Sequence, residues 1–160
     1  MEQAVRQDMS DGAVPRRTSL RVAKGRTNET PRSTDSKAIL VVDDEPEVAM
    51  VVMEVFRQEG YRVDIAGNGE EALVKLQQRP YDAIICDFRM PKMNGLTFYH
   101  TMARQFPGQV GRVLFMTVDV LNPDIQEFLE QVPAPVLNKP FTIQALCEAV
   151  WRILQNGETP

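Results

Sequence analysis

Three carboxylates, a hydroxyl and an amine stand out in this chain because each closes an apolar run. "KAILVV" (37–42) ends in Asp43-Asp44, "YDAIICD" (81–87) ends on Asp87, and "VGRVLFMT" (110–117) ends on Thr117. "PVLN" (135–138) runs into Lys139-Pro140. Acids gathered in one place repel each other and need a compensating cation. Hard oxygen donors of this kind select Mg²⁺. Lysine supplies a point charge for a phosphoryl oxygen, and threonine a hydroxyl donor. Phosphoryl transfer asks mostly for positioning and charge neutralisation, which this set offers. One carboxylate can also be the nucleophile, forming an aspartyl phosphate. Asp87, at the end of the central run, is the candidate. Taken singly, each residue has a blander reading. An Asp at a strand end is often a turn residue. Asp43-Asp44 ahead of Pro46 could cap a helix. Four separate run-ends that all carry compatible chemistry favour a joint site.

Such a site needs elements that bring the run-ends to one place. The runs at 37–42, 61–66, 81–87, 110–117 and 135–138 read as strands, the first continuous enough to be buried on both faces. Helices are predicted between them. The first starts at Pro46 with an acid as cap, carries Val48, Val51, Val52, Val55 and Phe56 at helical spacing, and stops at Gly60. Further helices are expected over 68–78 (Ala72, Leu73 and Leu76 inward), 95–104 and 123–131 (Ile125, Phe128 and Leu129 inward). The last, 142–154, has Ile143, Leu146, Cys147, Val150, Trp151 and Leu154 on one face. Five strands alternating with five helices imply a parallel sheet covered on both faces. Ligands bind such sheets at the carboxyl ends of the strands.

Composition sets outer limits. The chain has 160 residues, 43% hydrophobic and 25% charged, enough for one ordinary domain. No apolar stretch approaches the ~18 residues of a membrane span, and no signal-peptide core is present. The net charge is −4, but residues 1–36 carry about +2 and residues 37–160 about −6. An acidic domain of this kind is a poor nucleic-acid binder. Residues 1–36 are polar and read as a flexible basic leader. Residues 37–156 are the folded domain and 157–160 a short tail. Cys86 and Cys147 lie in apolar patterns, as buried reduced thiols of a cytoplasmic protein do. One histidine, His100, excludes any site that needs two.

The stretches "ILVVDDE" (39–45), "CDFRMPKMNG" (86–95), "FMT" (115–117) and "NKPF" (138–141) closely resemble the receiver domain of two-component response regulators. The resemblance spans about residues 37–156. It implies a flavodoxin-like sheet of order 2-1-3-4-5, and Asp87 as the phosphorylated residue. Asp43 and Asp44 would be the acid pair, with Mg²⁺ also held by the backbone carbonyl of Arg89. Thr117 would be the switch hydroxyl, and Lys139, ahead of a cis peptide to Pro140, would pair with the phosphoryl group. Three features distinguish the chain from the common pattern. Val136 replaces a switch aromatic. Val118 replaces a small residue and should slow hydrolysis of the acyl phosphate. Arg89 and Asp119 occupy the positions that tune dephosphorylation, and are placed to pair across the site mouth.

The resemblance also implies a donor, a histidine kinase or histidine phosphotransfer protein. A downstream partner would read the face formed by the fourth helix, fifth strand and last helix, near Met116, Val136 and Trp151. The chain ends soon after the last helix, so a stand-alone switch or relay, rather than an enzyme acting on a separate substrate, is expected. A receiver derived from a hybrid kinase, or a phosphate-independent interaction module, are the alternatives. A haloacid-dehalogenase-type phosphatase would need an acid where Arg89 stands.

Overall fold

The three central apolar runs become strands because every residue in those strands is covered. In β1 (Ala38–Val42) and β3 (Ala83–Asp87) all five residues are buried. A computed structural model describes residues 36–157. Between and after these strands lie α1 (Pro46–Gln58), β2 (Arg62–Ala66) and α2 (Gly69–Gln78). α3 (Gly95–Gln105), a 3-10 helix (Pro107–Arg112), β4 (Val113–Thr117), α4 (Pro123–Gln131), β5 (Val136–Asn138) and α5 (Ile143–Asn156) follow. The expected leader over 1–36 and tail over 157–160 lie outside the described residues, apart from Ser36 and Gly157.

All strand pairings are parallel, in the order β2-β1-β3-β4-β5, the flavodoxin-like arrangement. Alternation along each strand sends side chains to two separate cores. Ile39, Val41, Ile85, Leu114 and Met116 meet α1 and α5 on one face. Leu40, Val42, Ile84, Cys86 and Phe115 meet α2, α3 and α4 on the other. Parallel neighbours need crossovers of one hand, and this places the helices on both faces.

The helices are stopped and started by local chemistry. Gly60, at φ 90°, adopts the left-handed conformation that ends α1. Asn68 caps α2 by accepting from the Glu71 backbone N–H at 3.0 Å, while the Glu71 carboxylate accepts from the Gly67 N–H at 2.8 Å.

Several expectations need correction. The buried stripe of α1 is Ala49, Val52 and Phe56, and Val51 is exposed. The small Ala49 side chain lets the helix approach the sheet, which a run of valines cannot reveal. Glu45 stands at the N-cap of α1 but makes no side-chain cap bond. The buried face of α5 is Leu146, Val150, Ile153 and Leu154; Ile143 and Trp151 are more than half exposed. β4 begins at Val113, because residues 107–112 form the 3-10 helix. In that helix Gln109 is buried, and its side-chain oxygen accepts the Tyr81 N–H at 3.0 Å. Tyr81 and Asp82 accordingly precede β3 rather than belong to it.

Candidate functional site

Register decides which run-ends meet. Val42 is opposite Cys86, so Asp43 and Asp87 emerge side by side from β1 and β3. Asp87 is opposite Met116, and Thr117 is opposite Asn138. The Lys139 N–H donates to the Thr117 carbonyl at 2.7 Å, carrying the pairing one residue past β5. The peptide between Lys139 and Pro140 is cis, as the resemblance implied. Asp43, Asp44, Asp87, Thr117 and Lys139 therefore gather at one sheet edge, the carboxyl edge.

Charge is concentrated there. Lys139 Nζ lies 3.2 Å from Asp43 Oδ2, 3.1 Å from Asp87 Oδ1 and 3.9 Å from Glu45 Oε1. Asp43, Asp87 and Thr117 are buried, whereas Asp44 is exposed. Burial pushes the Asp87 carboxyl up, Lys139 pulls it down, and Asp43 and Asp44 push it up again, leaving it at about 6. Burial alone would depress the Lys139 ammonium, but Asp87 and Asp43 beside it outweigh that and hold it above the ordinary lysine range. The Cys86 thiol is driven well up by burial and by the same two carboxylates, so it is an inert core group.

One oxygen each from Asp43, Asp44 and Asp87 can lie within 4.8 Å of the others. That all-oxygen donor set, with a single ammonium against three acids, fits a hard divalent cation such as Mg²⁺. Asp43 is further fixed by accepting the Glu45 N–H at 2.9 Å, so the supposed helix cap instead orients a site carboxylate.

The loop from β3 to α3 is built closely against Asp87. The Gly95 N–H donates to the Phe88 carbonyl at 2.9 Å. A Cβ on Gly95 would lie 3.0 Å from both the Asp87 carbonyl oxygen and Phe88 Cα, so only glycine fits without displacing backbone. Asn94 caps α3 through the Thr97 N–H at 2.9 Å.

The three features that distinguish the chain from the common receiver pattern lie around this centre. Arg89 Nη2 and Asp119 Oδ2 are 3.0 Å apart, bridging the β3–α3 and β4–α4 loops. The Asp119 N–H in turn donates to Thr117 Oγ1 at 3.2 Å. Val118 is exposed, and Val136 is half-buried against the α2–α4 core. Met116, expected near a readout surface, is fully buried on the α1–α5 side, because Thr117 takes the alternate direction. Glu45 is the site residue that had no assigned role; its signal was the third acid of "DDE". His100 is exposed on α3, edge-on to Phe128 at 5.8 Å.

A doubly wound parallel sheet with three acids, a threonine and a lysine at its carboxyl edge defines a receiver-like α/β class. Residues 39–151 match the response regulator receiver domain, and the chain belongs to that family of two-component signalling. It is 32% identical over 109 residues to a response regulator receiver protein of Anaeromyxobacter sp., covering 68% of this chain and 45% of that one. It is 30% identical over 109 residues to the aerobic respiration control sensor protein ArcB of Escherichia coli, covering 68% and 14%. The chain spans about half the length of the first curated relatives it matches. Among solved structures it is similar to the receiver domain of a Pseudomonas aeruginosa PAO1 sensor histidine kinase, with magnesium coordinated in that protein's active-site cleft. The TM-score is 0.67 at 28% identity, over 75% of this chain and 98% of that one. Among the described residues, no helix is long and apolar enough to cross a membrane.

Proposed function

We propose that this chain is a phosphorylation switch or relay that accepts a phosphoryl group on Asp87 from a phosphohistidine. The observation that carries this reading is the Lys139 ammonium held within 3.2 Å of both Asp43 and Asp87 at the carboxyl edge. A carboxylate oxygen of Asp87 forms the new bond to phosphorus as the donor's phosphorus–nitrogen bond breaks. The electron pair of that bond returns to the donor imidazole. The product is an aspartyl phosphate, and the donor is a histidine kinase or histidine phosphotransfer protein.

Asp43, Asp44, Asp87 and the backbone carbonyl of Arg89 would hold Mg²⁺, which supplies neutralisation of the phosphoryl oxygens when bound. Asp43 and Asp44 orient it, Asp43 being locked by the Glu45 N–H. Lys139 already faces Asp87 and passes to a phosphoryl oxygen once the carboxylate is esterified. The Thr117 hydroxyl donates to another. That shift is transmitted as a population change between two conformers. With Val136 in place of an aromatic, the readout rests on Thr117 and the β4–α4 loop. The exposed Ile143 and Trp151 on α5 supply apolar surface for a downstream protein. The protein acts as a cytoplasmic switch that catalyses only its own phosphorylation and slow dephosphorylation.

The test is intact-mass spectrometry after incubation with acetyl phosphate and Mg²⁺. A phosphate adduct that requires Mg²⁺ and vanishes in Asp87→Asn is expected. A folded protein that forms no adduct and ignores beryllofluoride would be a phosphate-independent interaction module instead. The similarity to ArcB favours a second placement of the same chemistry, as the receiver of a hybrid sensor kinase.

A further inference from the structure

The last turn of α1 and the carboxyl half of α5 enclose a cleft of about 250 Å³, toward the amino edge of the sheet and away from Asp87. That is below the roughly 300–1,000 Å³ of small-molecule sites, and leaves room for one large side chain. Its walls are apolar. Phe56 and Tyr61 meet edge-on at 6.0 Å on one side, and Cys147, Val150 and Leu154 line the other. Part of that lining is open to solvent. Trp151, at the lip, is 57% exposed, and Tyr61 and Cys147 are partly exposed.

Charges of both signs flank Trp151. Glu148 lies one turn before it and Arg152 directly after it, both exposed. Four residues apart on one helix is the spacing at which ion pairs form within a helix. Yet among the described residues no ion pair joins these two, and Glu148 Oε1 accepts instead from Gln144 Nε2 at 2.9 Å.

We infer that this face of α5 is a self-complementary docking surface whose occupant is a second copy of the chain. An isologous contact presents the same patch from both partners across a two-fold axis. With the two α5 helices antiparallel and the axis level with Val150, Glu148 of each copy faces Arg152 of the other, since both lie two residues from the axis. Trp151 then projects toward the other copy's cleft, so each copy supplies both a knob and a hole. Tryptophan and arginine are the residues that most often carry interface energy. The crossed charges also select the orientation, because a parallel pairing would set Glu148 against Glu148 and Arg152 against Arg152. This pairing goes beyond the switch reading and does not rest on it. A downstream protein that uses Trp151 would compete with the second copy.

Sedimentation velocity on the full chain, from low to high micromolar concentration, is the test. A concentration-dependent equilibrium between monomer and dimer is expected. Trp151→Ala should weaken it at least about tenfold. Glu148→Arg and Arg152→Glu should each weaken it too, since each sets like charges opposite one another. An equimolar mixture of those two variants should restore a mixed dimer, because every crossed pair then joins opposite charges. All three positions are exposed, so the variants should keep the wild-type circular dichroism spectrum. A chain that stays monomeric throughout the range, a dimer indifferent to Trp151→Ala, or charge variants that remain monomeric when mixed would overturn the proposal. A chain that is monomeric alone yet holds a different protein through Trp151 would give the surface to that protein, and overturn it as well.

Discussion

Lys139 Nζ stands 3.1 Å from Asp87 Oδ1 although β4 separates the strands that carry them. The lysine reaches across the end of β4, past Thr117, to a carboxylate two strands away. Its backbone is anchored to Thr117 by a 2.7 Å hydrogen bond while its side chain serves the centre of the site. One residue thus ties the last strand to the first and third.

The raised carboxyl of Asp87 sets a stability prediction. Its folded value is about 6, against an ordinary value of 3.8. Between those values the folded state binds more protons than the unfolded, so stability rises as pH falls from about 6 to 3.8. At pH 7 the buried charge costs stability. Asp87→Asn should therefore stabilise the metal-free protein by about 1–2 kcal/mol at pH 7, with a smaller gain at pH 5. Thermal melts in chelator at the two pH values check this, and a variant less stable than wild type at pH 7 would refute it.

Lys139→Met should act in the opposite sense. It leaves Asp43 and Asp87 without their shared cation, and a loss of about 1–3 kcal/mol is expected at pH 7. Added Mg²⁺ should shrink that deficit, because the acids, freed of the competing Lys139 ammonium, bind the cation more tightly in the variant than in wild type. Urea titrations with and without millimolar Mg²⁺ measure both quantities. Mg²⁺ that stabilises neither protein would mean that the three acids do not form a cation site.

How far the sequence foretold all this depended on what each residue signals locally. Asp43, Asp87 and Thr117 were legible because each ends a run whose burial the sequence displays. The pairing of Arg89 with Asp119 was legible from motif positions. The 3-10 helix was not, since "VGRV" resembles the start of a strand and only tertiary packing shows that Gln109 satisfies the Tyr81 N–H. The buried face of α5 was drawn too wide, because seven of its fourteen residues from Ile143 to Asn156 are Ile, Leu, Cys, Val or Trp. Helical periodicity cannot say which of so many faces the sheet. The role of Glu45 was hidden because its distance to Lys139 is set by a residue far along the chain.

Gly95→Ala tests the close wall behind the site. The added methyl would lie 3.0 Å from two backbone atoms, which cannot rotate away. A destabilisation of about 1–3 kcal/mol is expected, together with slower phosphorylation by acetyl phosphate as the Asp87 backbone is displaced. Denaturation and mass-detected uptake report the two effects separately.

Val118→Ala tests access to the acyl phosphate. Val118 is exposed directly after Thr117, so shortening it should change stability by under about 0.5 kcal/mol. The phosphorylated form should decay several-fold faster, because water gains a route to phosphorus. Decay followed by phosphate-affinity gel electrophoresis gives the lifetime, and an unaltered one would remove Val118 from the list of tuning residues.

The contact between Gly95 and the Asp87 backbone also gives the site a direction. With Gly95 seated against the Asp87 carbonyl and Phe88 Cα, no slack remains on the α3 side for β3 to recoil into. Under the phosphoacceptor reading, a bulky group arriving on Asp87 would meet an anvil behind it. In mechanical terms, the glycine acts as a one-way stop.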